Sequence, residues 1–367
     1  SSATREARTH TEWRVGCLDT GVPTPQARLR LSRPMHRSLS SGESAALPLW
    51  LTVVVYVGTG LLQPLLTDSI RYQGGAGHVG WPPTLLSMMS NTAGMALVGL
   101  RLCGRERAAF WRATERPLST WWWLGMATAI DFGSGCLLTT GLLIVGSGVY
   151  VVIYSSTTVW TALLARCAGQ RLEPVRLAGV LLVSAGTLLS ARGAYSEAPT
   201  AEAGWLAVGC AALVGGTALH AGMFVFSERA MRLGGLHPFL LSSGMGAAET
   251  AALAAWNGAL LSRHGPQLYA PHDGEVELGT VALLYAGLTL VNAMHALVFF
   301  ELLDRIGAVS SAVMKGVQLV LVFVFSVLFF CRYQASQCFS WPKAIGVATV
   351  VAGLLTYAAG SRDSRRQ

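Results

Sequence analysis

The sequence predicts an all-α polytopic membrane protein of ten transmembrane helices, arranged as two inverted repeats of five. Three observations predict it. Of 367 residues, 52% are hydrophobic and only 13% charged, with 41 glycines, which is too apolar for one or two soluble domains. The charges gather in short clusters separated by apolar stretches of about twenty residues, the length that crosses a hydrocarbon core roughly 30 Å thick. Segments 175–189 and 342–356 also align with each other.

Residues 1–46 are polar, Arg- and Ser-rich and lack a long apolar run. They read as a disordered basic cytoplasmic tail. A transit peptide or an upstream fragment is the competing reading, weakened by Glu6, Glu12, Asp19 and Glu43. The first repeat, 47–191, begins with a span from Leu47 to Leu66, bounded by Arg71. The second span runs from Gly80 to Leu102 and ends in a basic loop. The third, Thr120 to Gly141, carries Asp131, and the fourth, Ser147 to Cys167, carries Tyr150 and Tyr154. The gap between these two is short enough that they could fuse into one. The fifth span covers Pro174 to Ala191, and a linker loop is expected over 192–203. The second repeat, 204–360, holds spans from Gly204 to Phe226 (with His220), Pro238 to Leu261 (Glu249), Leu278 to Leu302 (Asn292 and His295), Ile306 to Cys331 (Lys315 and Gln318) and Trp341 to Gly360. Residues 361–367 form a basic cytoplasmic tail.

Charge bookkeeping supports ten spans over nine, because cytoplasmic loops retain Lys and Arg. With both termini inside, 21 basic residues are cytoplasmic, and 5 (Arg71, Arg192, Arg263, Arg332 and Lys343) lie outside. Together with Lys315 these account for all 27. The basic balance therefore follows from topology and from attraction to an anionic inner leaflet, and requires no nucleic-acid partner.

The repeat rests on VRLAGVLLVSAGTLL (175–189) lying over PKAIGVATVVAGLLT (342–356), which matches Gly179 to Gly346 and Gly186 to Gly353. With a gap of about six residues, VVIYSSTTVWTALLA lies over AVMKGVQLVLVFVFS, and Tyr154 takes the position of Lys315. An odd number of spans per repeat inverts the second copy, as in alternating-access transporters with a midplane site.

The run IYSSTTVWTALLARCAGQRLEPVRLAGVLLVSAGTLLSARG resembles the drug/metabolite transporter superfamily, whose EamA-type repeats end in such a helix, basic turn and glycine-spaced helix. The stretch from Trp122 to Ser156 is similar to the nucleotide-sugar transporter and triose-phosphate translocator branch. That resemblance implies an antiporter of nucleotide sugars or sugar phosphates, with a substrate-facing lysine in the ninth helix, where Lys315 stands. The Lys-Arg pair of the triose-phosphate type is absent, since Gly316 follows Lys315.

Lys315 would lie roughly 13 Å deep in its span. A charge there costs about 2.5 to 3.5 kcal/mol on insertion scales and normally faces a water-filled cavity or a partner. Snorkelling from that depth falls short of the headgroups. Candidate substrate-binding residues are Lys315, Tyr154, Tyr150, Gln318, Asn292 and His295. Asp131 and Glu249 are candidates for pairing with Lys315, for carrying a proton, or for neutral hydrogen bonding between helices. Either one facing Lys315 would argue against a purely anionic solute. His220 is a candidate for a titrating role, with packed hydrogen bonding as the alternative for each histidine and core packing as the alternative for Tyr150 and Tyr154. Cys331 and Cys338 flank one short outer loop and are candidates for a disulfide in an oxidising compartment.

The DFG at Asp131–Phe132–Gly133 sits within a span without the loops that would give it a kinase meaning. No zinc, Walker or nucleophile-elbow pattern is present. The expectation is thus a carrier, not an enzyme, with no cofactor and no metal. Its partners are a small-molecule solute and the bilayer, and a homodimer is compatible with the sequence. An endomembrane location (Golgi, ER or vacuole) is favoured over a plastid membrane. The solute expected is an anionic phosphorylated one. The alternatives are a proton-coupled exporter of amino acids, drugs or other cationic metabolites, and a non-transporting receptor or scaffold.

Overall fold

The computed structural model describes residues 48–101, 118–167, 173–197, 200–234, 236–269 and 277–363. The tail expected over 1–46 lies outside these, as do residues 364–367 of the tail expected over 361–367, whose first three residues instead end the last helix. The described residues form helices joined by turns: α1 (Leu49–Tyr72), α2 (Leu86–Leu97, continued by a short 3-10 turn), α3 (Leu118–Val145), α4 (Ser147–Tyr154), α5 (Thr157–Cys167), α6 (Pro174–Glu197), α7 (Thr200–Gly234), α8 (Pro238–His264), α9 (Leu278–Ile306), α10 (Ala308–Phe330) and α11 (Trp341–Asp363). Helices satisfy their backbone groups internally, which a hydrocarbon solvent demands.

Among the described residues, six stretches are long and apolar enough to cross a membrane: Leu49–Tyr72, Thr120–Val145, Ser147–Leu164, Gly204–Arg232, Leu278–Ile306 and Trp341–Gly360. Three shorter apolar stretches, Leu86–Leu100, Pro174–Ser190 and Leu321–Phe330, accompany them. Large apolar side chains face outward on these helices, Leu188, Leu283, Leu328 and Leu355 among them. Such an exterior matches an apolar surrounding and would be a liability in water.

Several expected boundaries move. The second helix starts at Leu86 rather than Gly80, because the preceding residues form a loop tied to the α8–α9 end by His78 N donating to Leu268 O (2.9 Å), Trp256 Nε1 to Pro83 O (2.8 Å) and Tyr285 Oη to Gly75 O (2.8 Å). The linker expected over 192–203 is largely helix, since α6 continues to Glu197 and α7 starts at Thr200. The fourth span, expected as one helix, breaks at Ser155–Ser156. There Ser155 Oγ donates to Val152 O (2.6 Å) and Thr157 Oγ1 to Tyr154 O (2.7 Å), so local hydroxyls compete for the carbonyls that a continuous helix would use.

α6 packs along α11, α3 along α7, and α1 along α9. The α6–α11 contact is close along its length, because each helix offers two glycines. A Cβ on Gly179 would lie 2.7 Å from Gly353 O, and one on Gly186 2.6 Å from Gly346 O; the reciprocal distances are 2.8 and 2.7 Å. No larger residue allows backbones this near.

α4 and α10 start alike. Gly146 (φ 79°, ψ 167°) precedes α4, and Gly307 (φ 81°, ψ 169°) precedes α10. Asp68 Oδ2 accepts from Ser147 N at 2.8 Å, and Glu228 Oε2 accepts from Ala308 N at 3.0 Å. Each carboxylate thus comes from another helix to satisfy an orphan donor of a helix N-terminus.

Candidate functional site

α1, α2, α3, α4, α7, α8, α9 and α10 enclose a central cavity of about 160 Å³. Its polar wall includes Asp131, Tyr150, Tyr154, His220, Glu249 and Lys315, and Asn292 and His295 also line it. Eight of the nine residues singled out from the sequence for binding or proton roles therefore meet at one place. Gln318 does not reach this cavity: it lines an adjoining pocket of about 70 Å³, which Lys315 and Tyr154 also border. One turn beyond Lys315 on α10, it is held against α1 by Nε2 donating to Tyr56 O at 2.9 Å.

Lys315 is the cavity's cationic end. Its Nζ donates to Tyr154 Oη at 2.8 Å, and it lies 4.7 Å from the centre of the Tyr154 ring. The rings of Tyr56, Phe224 and Phe299 stand 5.8, 5.8 and 5.7 Å away. Four aromatic faces within 6 Å stabilise a cation without neutralising it. Among the described residues no carboxylate lies within the 4.0 Å ion-pair distance of Nζ, the ion pairs present being His220–Asp131, Arg232–Glu228 and Arg305–Glu301.

The cavity also holds two carboxylates, Asp131 and Glu249. Asp131 Oδ1 stands 3.7 Å from His220 Nδ1, beyond hydrogen-bond distance. Glu249 on α8 is only 2% exposed, and its Oε1 has no hydrogen-bond partner among the described residues. Both ring nitrogens of His220 also lack one. Buried groups of this kind are usually paired, so their concentration around one cavity marks a place prepared for something else.

The α9 side is better satisfied. Asn292 Oδ1 accepts from Gln63 Nε2 and its Nδ2 donates to Asn91 O, while His295 Nδ1 and Thr59 Oγ1 are 2.9 Å apart. The His295 ring stacks on Tyr56 with centroids 4.7 Å apart. Tyr150 stacks on Tyr154 at 5.2 Å, one turn away along α4.

Sequence reasoning missed Tyr56, Phe224 and Phe299, which complete the enclosure of Lys315, and the amide pair Gln63 and Asn91. The three aromatics stand in apolar surroundings like any core ring, so no local signal separated them. Away from the cavity, Cys331 and Cys338 form a disulfide, S–S 1.97 Å.

No family model matches the chain, and no curated protein matches it. A solved crystal structure, described only as that of a protein, is similar with a TM-score of 0.51 and 19% identity, over 84% of this chain and 98% of its own. At that identity the likeness concerns the fold alone.

Proposed function

We propose that the chain is an alternating-access carrier of a small organic solute bearing an anionic group, with Lys315 as its recognition charge. The observation that carries this reading is the ammonium in the central cavity, held by Tyr154 Oη and four rings with no carboxylate within ion-pair distance. A phosphate or carboxylate entering the cavity would supply a counter-charge at contact distance, which Asp131 and Glu249, lining the same cavity, do not. By the family resemblance the solute is a nucleotide sugar or sugar phosphate, and the membrane an endomembrane with both termini cytoplasmic.

The proposal includes ten membrane helices in two inverted repeats of five. The glycine contacts support it: Gly179 and Gly346 are equivalent in the sequence alignment, as are Gly186 and Gly353, and each touches the equivalent of the other. That is the reciprocal pattern of a two-fold interface. The matching glycine starts of α4 and α10, each with a carboxylate from another helix, support it independently.

The test is counterflow in proteoliposomes with radiolabelled nucleotide sugars, sugar phosphates and amino acids. For the solute that exchanges, Lys315→Met removes a charge-assisted contact worth roughly 1.5 to 3 kcal/mol, so affinity falls about ten- to a hundredfold. Arginine rescues only partly, since its planar fork needs another geometry. Unchanged affinity in Lys315→Met overturns the anionic-solute reading, and no flux of any solute favours a receptor or scaffold.

A second reading, proton-coupled export of cationic solutes, is favoured by Asp131 and Glu249 on the same cavity wall. It predicts uptake driven by a pH gradient and abolished by Asp131→Asn or Glu249→Gln, while Lys315→Met stays active.

A further inference from the structure

A third cavity, of about 380 Å³, opens on the flank of the bundle between α3 and α8. Trp121, Leu124 and Phe132 form one wall, and Ala248 and Ala252 the other. Trp121 is 41% exposed, and a Cβ added to Gly125 at the cleft would meet nothing within 4 Å. The cleft is thus open to whatever surrounds the bundle, on a helix long and apolar enough to cross a membrane.

Its inner end is not apolar. Glu249 lines this cleft as well as the central cavity, and among the described residues no other lines both. Its Oε1 is the buried, unpartnered oxygen described above. An acyl chain alone would fill the cleft and leave that oxygen without a donor. A small hydrophilic cation would satisfy the oxygen and leave the apolar walls unmatched. A ligand with an ammonium head and an apolar tail meets both demands, since an N–H donor pairs with the carboxylate and the tail replaces lipid against the aromatic wall. Asp131 on the central cavity wall adds negative charge on the side the head would face.

We propose that the cleft between α3 and α8 is a binding site for a lipophilic amine arriving from the bilayer, its ammonium hydrogen-bonded to Glu249 and its tail along Trp121, Leu124 and Phe132. Binding alone tests this, so its fate is separate from that of the transport reading.

The experiment uses the full chain in phospholipid nanodiscs and dodecylamine carrying a tail diazirine, with the N-acetylated form of the same molecule as the uncharged control. After illumination, mass spectrometry reads labelling of 121–132 and 244–252. The amine is expected to label these segments at least tenfold more than the acetylated form. Glu249→Gln should reduce amine labelling to the acetylated level. Gly125→Phe, which fills the cleft from α3 and leaves the carboxylate intact, should abolish labelling by both probes. Equal labelling by the two probes in the unaltered chain overturns the proposal, as does amine labelling that survives Gly125→Phe or Glu249→Gln. Should Glu249→Gln not fold, the probe ratio and the Gly125→Phe variant decide.

Discussion

The starts of α4 and α10 share a backbone and differ in everything around it. At α4, Asp68 is fully buried, and its Oδ2 accepts from both Ser147 N and Gln337 Nε2, the latter at 3.1 Å. Gln337 Nε2 also donates to Tyr72 Oη (2.8 Å), and Gln337 Oε1 accepts from Ser147 Oγ (3.1 Å) and Ser326 Oγ. Gln334 joins through Arg71, Tyr72 and the carbonyl of Ile144. At α10, Glu228 caps Ala308 N, and its other polar contact is Arg232 at 2.8 Å, whose side chain is 60% exposed. One end is sealed by a network spanning α1, α4 and α10, and the other rests on a cap and a solvent-screened pair. A shared backbone device therefore does not imply a shared strength.

The largest effect is expected at Asp68. Asp68→Ala leaves Ser147 N as a buried donor without its acceptor and takes from Gln337 Nε2 one of its two, which costs about 3 kcal/mol and should show as the largest fall in Tm of the purified protein. Next comes the Cys331–Cys338 link, which closes the loop carrying both Gln334 and Gln337. Opening so short a loop with a double serine variant costs about 2.5 kcal/mol in the chain-entropy view. If the variant melts like the parent, the loop holds its glutamines without the link.

The glycines sharpen the comparison. Alanine at either position must hold φ of 79° or 81° with ψ of 167° or 169°, a region essentially confined to glycine, which costs on the order of 1 to 3 kcal/mol. At Gly146 the added methyl would also collide with the Gln337 side chain, whereas at Gly307 the nearest atom is Glu228 Oε1 at 3.3 Å. Gly146→Ala should therefore cost about 2 kcal/mol and Gly307→Ala about 1 kcal/mol, read as denaturation midpoints. The smallest effect is expected for Glu228→Ala, under about 1 kcal/mol, because a partly exposed cap is replaced by water at modest loss. A shift equal to that of Asp68→Ala would mean the two ends are equally tight.

Much of the site was legible because membrane helices are intolerant of polarity. Lys315, Asp131, Glu249, His220, Asn292 and His295 stand out in apolar runs, and the two-repeat alignment put Tyr154 opposite Lys315 before any contact was known. Gln318 shows the limit of that logic. Helical spacing put it on the lysine's face, yet a backbone carbonyl of α1 engages its amide, and a carbonyl carries no sequence signal.

By itself, then, the sequence determined the all-helical class, the apolar segments and the polar residues that must find company within them. Tertiary structure decided which company they keep. These helices are apolar on the outer face as well as the inner one, so no amphipathic period tells which rings turn inward. Only packing distinguished Tyr56, Phe224 and Phe299 around Lys315 from the aromatics facing outward. It likewise decided that Asp68, a charge near a helix end in the sequence, is a buried cap on α4, because the donors it satisfies lie 79 and 269 residues away along the chain.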